Sequence, residues 1–244
     1  MDTILKTSLG IFVVVLVLFS GITMYTGYTE AAYRNTLAGT YSYTCWITTD
    51  GPLYNVTLFI PVPVDVTGNS PMVSEFSSNT MKGIPKAWET TLFDTGKSTL
   101  IRIMTPALLP PEGTTASSPY TVILSSETTS RTPVDTQNPV EKSAIFRPVQ
   151  ALNETPCHAG RAGDRVRCFT YTTAVYADYR TAEDTTVSIA AAITGRNTWT
   201  VFGPHSNEYH SDVSITMKGG QQGWGVLEGE LTSGTGTYDV PAGS

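Results

Sequence analysis

Charged side chains are scarce in this sequence. Only 15% of the 244 residues are Asp, Glu, Lys or Arg, against about a quarter in an average soluble domain. The 15 Lys and Arg are outnumbered by 21 Asp and Glu, and the formal net charge is −6. A protein that binds nucleic acid needs clustered basic side chains against the phosphates, so this balance argues against nucleic acid as a partner.

Motifs that carry chemistry are also missing. With three cysteines and three histidines, the chain has no Cys-x-x-Cys pair, no haem-attachment motif, no Ser-His-Asp signature and no dinucleotide-binding glycine pattern. The sequence therefore predicts no cofactor, and a non-enzymatic role is the leading hypothesis.

The abundant residues are threonine, glycine and proline, at 39, 21 and 15 copies. Threonine is favoured on the pleated, partly solvent-exposed surface of a strand, and glycine and proline favour turns. An apolar content of 40% excludes a mainly disordered chain. Together these counts predict that most of the chain is β-structure.

The amino-terminal segment differs from the rest of the chain. Lys6 and Glu30 bracket 23 residues without formal charge, Thr7–Thr29. A helix of that length rises about 34 Å, enough to cross a hydrocarbon core of about 30 Å. Three tyrosines follow the apolar centre, where amphipathic rings settle at the lipid headgroups. These predicted interface residues are Tyr25, Tyr28 and Tyr33.

A cleaved signal peptide is the alternative interpretation of this segment, because an 11-residue apolar core after a lysine fits that pattern. A clean small-residue cleavage site is hard to place after Phe19, which favours a retained anchor. Helix-forming residues continue to Ala38, and Gly39 is the expected left-handed cap. We therefore expect residues 1–38 to form a single-pass transmembrane anchor and stalk, with residues 39–244 on the extracytoplasmic side of a cell membrane.

Beyond Gly39 the apolar pattern changes to a period of two, which is typical of antiparallel strands with one wet face. About ten short strands separated by turns predict a mainly β fold, an Ig-like or Greek-key β-sandwich. Gly219–Gly223 are predicted to turn the last two strands into a hairpin. The predicted strands are Thr40–Thr48, Val56–Ile60, Trp88–Phe93, Ser98–Thr105, Tyr120–Ser126, Val166–Tyr176, Val187–Ala191, Thr198–Phe202, Val213–Met217 and Trp224–Leu231.

The stretch 106–143 is rich in Pro, Ser and Thr and is less regular. It is either a linker between two small sandwiches or a long excursion from one. One sandwich is favoured, because the 67 residues from Gly39 to Thr105 are few for an independent β domain.

Two features favour an extracytoplasmic location for this domain. Cys157 and Cys168 are spaced to close a short loop through a disulfide, which forms in oxidising compartments. Asn55 and Asn153 begin glycosylation-type triplets, Asn-Val-Thr and Asn-Glu-Thr. Cys45 is left over and is expected to pack as a small buried apolar group.

One short motif suggests an alternative catalytic function. Leu92-Phe93-Asp94-Thr95-Gly96 resembles the aspartic-protease motif, in which two apolar residues precede Asp-Thr-Gly. Ile193–Asn197 resembles the apolar-glycine segment of retroviral-type proteases. The resemblance implies a membrane-anchored homodimer with Asp94 as the catalytic residue. The favoured interpretation is a hairpin loop with Gly96 in a left-handed position, since Lys97 replaces the Ser or Ala of that family.

A polar stretch supplies a second alternative, a metal- or carbohydrate-binding surface module. His205–Asp212 is predicted to be a loop in which His205, Glu208 and His210 have the donor types of a metal site. The favoured interpretation is an ordinary polar loop without a metal, because nothing elsewhere in the sequence completes the ligand shell.

The order of elements resembles prokaryotic surface proteins of the pilin and archaellin type. An apolar amino-terminal helix runs into a threonine-rich β-sandwich, and Gly10 before Ile11-Phe12-Val13 resembles a prepilin processing point. The resemblance implies a structural or interaction subunit of a cell-surface assembly. Its expected partners are membrane lipid, further copies of itself or other surface subunits. Candidate contact sites are the three tyrosines, the Cys157–Cys168 loop and the 106–143 excursion.

Overall fold

The computed structural model describes residues 2–77, 81–94, 98–130, 132–157 and 165–238. Within these ranges the helices are α1 (Asp2–Thr36), α2 (Val73–Ser77) and α3 (Pro139–Lys142). The strands are β1 (Ala38–Thr49), β2 (Leu53–Pro61), β3 (Pro63–Val64), β4 (Glu89–Asp94), β5 (Thr99–Leu108), β6 (Tyr120–Ser130), β7 (Ile145–Phe146), β8 (Gln150–Thr155), β9 (Arg167–Arg180), β10 (Thr186–Thr200), β11 (Pro204–Lys218) and β12 (Gln221–Gly236).

Helix α1 is a single 35-residue helix that passes almost directly into the sheet. It ends at Thr36, and only Leu37 separates it from β1. The prediction that Gly39 caps the helix is wrong, because Gly39 lies inside β1. A Cβ atom there would stand 3.0 Å from the side chain of Ser130 and 3.1 Å from the carbonyl oxygen of Thr132, so close packing is the reason for glycine.

Ten of the twelve described strands form one large antiparallel sheet, in the order β4-β5-β2-β9-β12-β11-β10-β1-β6, with β8 added on β9, and β3 pairs with β7 in a separate two-stranded sheet. The sheet curls so that its inner face encloses a single core. Helix α2 contacts both edge strands, β4 and β6, and so bridges the gap between them. The prediction of a long apolar helix followed by a mainly β, sandwich-like fold is confirmed.

Strict alternation along the strands builds the core. In β1 the buried apolar side chains are Tyr41, Tyr43, Cys45 and Ile47, and the residues between them face outward. Threonines and serines occupy many of these outer positions, which explains how a sheet protein can be poor in charge. Strands from before and after the 106–143 excursion pair with each other, as β1 does with β10 and β2 with β9. Both halves of the sequence therefore belong to one sheet.

The excursion itself is tied to this sheet by a buried amide. The side chain of Asn197 accepts a hydrogen bond from the backbone NH of Val134 and donates one to its carbonyl oxygen, both at 2.8 Å. Asn197 also donates to Asn207, which accepts a hydrogen bond from Thr136. Val134 and Thr136 are buried, so this part of the predicted contact segment lies inside the domain.

Two strand predictions needed correction at the carboxyl-terminal half. Val187–Ala191 and Thr198–Phe202 are not separate strands but parts of the 15-residue β10, and Phe202 lies in the turn after it. The predicted loop His205–Asp212 is wrong, since these residues lie in β11. The turn predicted at Gly219–Gly223 is present at Gly219 and Gly220, and β12 begins at Gln221.

Candidate functional site

The apolar surface of α1 is left uncovered by the β-domain. From Leu9 to Leu18 each large apolar side chain is 47% to 66% exposed. Helix α1 is the one helix, among the described residues, that is long and apolar enough to cross a membrane. Exposed apolar surface of this extent makes α1 a candidate interaction surface of the chain.

The carboxyl-terminal part of α1 lies against the end of the β10–β11 hairpin. The ring of Phe202, in the turn of that hairpin, stacks on Tyr25 with 5.7 Å between ring centroids and 13° between planes. Tyr28 contacts the same ring at 5.6 Å. Aromatic pairs at these separations contribute about 0.5–1.5 kcal/mol beyond the burial of their area. The hairpin turn and the helix thus form one aromatic cluster.

A second set of contacts joins helix and sheet one to two helical turns further on. Tyr33 packs edge-to-face on Trp199 at 5.6 Å, and Trp199 stacks on His205 at 5.8 Å. Thr36 accepts a hydrogen bond from the backbone NH of Thr200 at 2.9 Å. Because of these contacts, the end of α1 is packed against the domain rather than projecting as a free stalk.

The three predicted interface tyrosines therefore occupy two different environments. Tyr25 and Tyr28 remain about 60% exposed beside Phe202. Tyr33 is half-buried against Trp199. Only the first two present substantial aromatic surface to the surroundings of the helix.

The three predicted metal donors do not converge. Glu208 accepts a hydrogen bond from Nε of Arg196 at 2.6 Å and pairs with its guanidinium. His210 contacts the Thr194 hydroxyl at 3.0 Å. The His205 ring lies on Trp199 instead. Across the described residues, no group of three or more His, Cys, Asp or Glu side chains is placed to hold a metal ion.

Asp94 is the last residue of β4, at the edge of the sheet, and its side chain is exposed. It pairs with Thr99 across the β4–β5 hairpin, in agreement with the hairpin interpretation; Thr95, Gly96 and Lys97 lie outside the described residues. The segment Ile193–Asn197 is in the middle of β10, and five strands separate it from β4 in the sheet order.

Cys157 and Cys168 form the predicted disulfide, and Cys45 is buried and unpaired as a thiol. Burial raises the pKa of the Cys45 thiol to about 12, which makes it unreactive at neutral pH. Beside the disulfide, Arg167 makes a bidentate pair with Glu154 across β8 and β9, at 2.9 and 3.1 Å. Residues 158–164 of the Cys157–Cys168 loop lie outside the described residues.

The two sequon asparagines are both accessible. Asn55 is exposed at a bulge of β2 and has a positive φ of 53°. Asn153 is exposed on β8, and its side-chain amide donates to the carbonyl oxygen of Ala151 at 2.8 Å. Both positions have the surface location that glycosylation requires.

The sequence interpretation missed a row of aromatic side chains on the outer face of the sheet. The row consists of Phe93 on β4, Phe59 on β2, Tyr176 on β9 and Trp224 on β12, and we call it the aromatic row. Neighbouring rings contact edge-to-face at 5.5 to 5.6 Å. Phe93 and Trp224 at its ends are 50% and 62% exposed. The available signal was the aromatic residue type at outward positions of the alternating pattern, where threonine prevails elsewhere.

Comparison with known proteins identifies no relative of this chain: no protein-family model, no curated protein and no solved structure matches it.

Proposed function

We propose that this chain is a single-pass membrane protein whose β-domain lies on the extracytoplasmic side and acts as a structural or interaction subunit of a surface assembly, pilin-like in its layout. The observation that carries the proposal is the uncovered apolar surface of α1 together with its direct connection to β1. Burying one large apolar side chain is worth about 1.5–3 kcal/mol. The free energy of transferring the side chains from Leu9 to Leu18 from water to lipid is therefore favourable by on the order of ten kcal/mol or more.

The connection between α1 and the sheet supports a structural role. One residue, Leu37, joins them, and the contacts of Tyr33 and Thr36 hold the helix end on β10. A flexible linker would let the domain reorient freely over the membrane. In this chain the orientation of the domain follows that of the helix, so association of helices positions the domains as well.

The aromatic row supports a role in partner contact. Tyr and Trp are enriched among the residues that dominate the energy of protein interfaces, and Tyr176 and Trp224 lie side by side in this row. The surface is on the outer face of the sheet, away from the core. It is therefore available to a second copy or to another subunit without any change in the fold.

Membrane insertion is tested by alkaline carbonate extraction of membranes that contain the full chain. We expect the protein to remain in the membrane pellet. Replacing Val15 and Leu16 together by Arg places two charges at the centre of the span, each costing about 2.5–3.5 kcal/mol, and should release the protein. The matched control exchanges the same residues conservatively, Val15→Leu with Leu16→Val. Release of the unmodified chain by carbonate would contradict the proposal.

The side of the membrane is tested with the natural sequons in a glycosylating membrane system. An extracytoplasmic domain is expected to gain mass through Asn55 and Asn153, and Asn55→Gln combined with Asn153→Gln should abolish the gain. Protease added to sealed vesicles of the same orientation gives an independent readout. In these vesicles the extracytoplasmic side is the lumen, so digestion of the domain by the added protease, together with absence of glycan, would place the domain on the other side.

Assembly is tested by chemical cross-linking in membranes, followed by isolation in mild detergent. We expect cross-linked species larger than one chain, reduced several-fold by Trp224→Ser. Ser214→Ala, an exposed change on the neighbouring strand β11, serves as the control. A chain that is isolated alone and as a monomer would contradict the subunit role while leaving the membrane anchor intact.

A further inference from the structure

We propose that the turn of the β10–β11 hairpin, Val201–Gly203, enters the headgroup region of the bilayer, with Phe202 as its anchoring side chain. The β-domain then rests directly on the membrane instead of standing away from it. This inference rests on the proposed function, because it requires α1 to span a bilayer.

The level of the hairpin turn follows from the length of α1. A span of about 30 Å corresponds to about 20 residues, which places the hydrocarbon core, counted from the first uncharged residue after Lys6, from about Thr7 to about Thr26. Tyr25 lies at the end of this core and Tyr28 within the next helical turn. Both still belong to the uncharged stretch Thr7–Thr29, so they fall at the boundary between hydrocarbon and headgroups.

Phe202 lies at the same level as these tyrosines. Its ring centroid is 5.7 Å from that of Tyr25 and 5.6 Å from that of Tyr28. Even with both contacts made, 70% of its surface remains exposed. The exposed ring continues the uncovered apolar surface of α1, so the surroundings that cover the helix at this level also cover Phe202.

The chemistry of the hairpin end suits this environment. From Asn197 to Asn207 the sequence contains no Asp, Glu, Lys or Arg. The nearest charges along the hairpin are the paired Arg196 and Glu208, six residues before and after Phe202. At about 3.3 Å per strand residue they lie about 20 Å from the turn. The hairpin end can therefore approach lipid without desolvating a charge.

The backbone conformation of Phe202 indicates that the phenyl ring is not there to form the turn. Its φ of 56° is in the left-handed region, where Gly or Asn is favoured and a bulky side chain is strained. The turn conformation therefore does not require a phenyl side chain. The contacts with Tyr25 and Tyr28, together with lipid at the exposed side, account for its presence.

The test uses single nitroxide labels on the full chain in palmitoyl-oleoyl phosphatidylcholine vesicles. Cys45 is buried, and Cys157 and Cys168 are bonded to each other, so an introduced cysteine is the reactive thiol. Labels are placed through Phe202→Cys, through Val15→Cys at the centre of the span and through Glu183→Cys in the exposed turn before β10. The 15 residues of β10 put the last site about 45 Å from the hairpin turn.

The readout is the accessibility of each label to oxygen and to a water-soluble nickel chelate. We expect the label at 202 to be at least several-fold less accessible to nickel than the label at 183, with a depth at the headgroup level. The label at 15 should report the bilayer centre. Where Phe202→Cys lowers the melting temperature, Gly203→Cys with Phe202 retained gives the same measurement.

The outcomes separate the inference from its premise. A label at 202 as accessible to nickel as that at 183, with the label at 15 inside the bilayer, overturns the inference and leaves the proposed anchor standing. A label at 202 shielded from both oxygen and nickel also overturns it, because protein rather than lipid then covers the turn. An aqueous signal at 15 overturns the proposed anchor itself.

Discussion

The ring of Tyr209 lies against Gly195, its direct partner on the adjacent strand: a Cβ atom on Gly195 would stand 2.2 Å from Cε1 of that ring. The same relationship joins Tyr171 to Gly229, where the distance would be 2.8 Å. Both tyrosines are buried. Tyr209 donates a hydrogen bond to the carbonyl oxygen of Ala144. Glycine opposite each ring leaves the room that a large buried side chain needs within the curled sheet.

Gly195→Ala is therefore expected to destabilise the domain by about 1–3 kcal/mol, because the added methyl group overpacks the site against Tyr209. Thermal and urea unfolding in detergent, followed by circular dichroism, measure the change. Gly203→Ala is the control, since nothing lies within 4 Å of a Cβ atom at that position. Equal stability of the Gly195→Ala variant and the unmodified protein would contradict this account of the core.

The second prediction concerns alkaline pH. Burial raises the pKa of Tyr179 to about 12, whereas an unfolded tyrosine titrates near pH 10. Ionisation is thus favoured in the unfolded chain, and the stabilising contribution present below about pH 10 is lost as the pH rises towards 12. Burial shifts the pKa of Tyr171 and Tyr209 in the same direction. We expect the free energy of unfolding to fall steeply over this range.

Tyr179→Phe should remove part of that pH dependence. The Tyr179 hydroxyl is buried and has no hydrogen-bond partner among the described residues, so at neutral pH the variant should be at least as stable as the original. Unfolding in urea between pH 7 and 11 gives both quantities. Tyr54→Phe, at a position that is 48% exposed, is the matched control. An unchanged slope above pH 10 in the Tyr179→Phe variant would count against the prediction.

The disulfide between Cys157 and Cys168 supports a third prediction. It closes a loop with a sequence separation of 11, which restricts the unfolded chain by about 3 kcal/mol in the chain-entropy model. Replacing both cysteines by Ser should lower the unfolding free energy by about that amount. A reducing agent should destabilise the unmodified protein and leave the double variant unaffected. If the agent changes neither protein, the disulfide does not contribute to stability.

The fourth prediction separates the proposed structural role from the protease alternative. Asp94 is exposed at the edge of the sheet, and Asp94→Asn is expected to leave folding, melting temperature and cleavage of an unfolded protein substrate unchanged. Incubation between pH 4 and 7, with the products analysed by mass spectrometry, measures the cleavage. A product that forms with Asp94 and disappears in the variant would establish the protease.

Local pattern was sufficient for much of the fold. The uncharged run predicted α1 to within a few residues, and period-two alternation predicted most strands of the sheet, because both signals depend on near neighbours in sequence. The prediction failed for His205–Asp212, where polar residues occupy both faces of β11 near its start. It also failed at Gly39, where the reason for glycine is contact with Ser130 and Thr132, far away in sequence.

The candidate surfaces depended more on tertiary structure. Tyr25 and Tyr28 were predicted at the membrane interface from α1 alone, but their contact with Phe202 joins residues more than 170 positions apart. The four members of the aromatic row lie on strands from four parts of the chain. Each is unremarkable in its own segment, and only the pairing of β4, β5, β2, β9 and β12 brings them into one line.

The amino-acid sequence by itself determined that the chain has one long apolar helix, a mainly β domain with a wet, threonine-rich outer face, and a pair of cysteines close enough to bond. These properties follow from composition and from periodicity over a few residues. The tertiary structure alone decided the order of the strands, the packing of tyrosine over glycine, the aromatic row and the contact of the β10–β11 hairpin turn with α1. Those depend on which distant segments pair when the sheet curls around its core, and local pattern does not specify that choice.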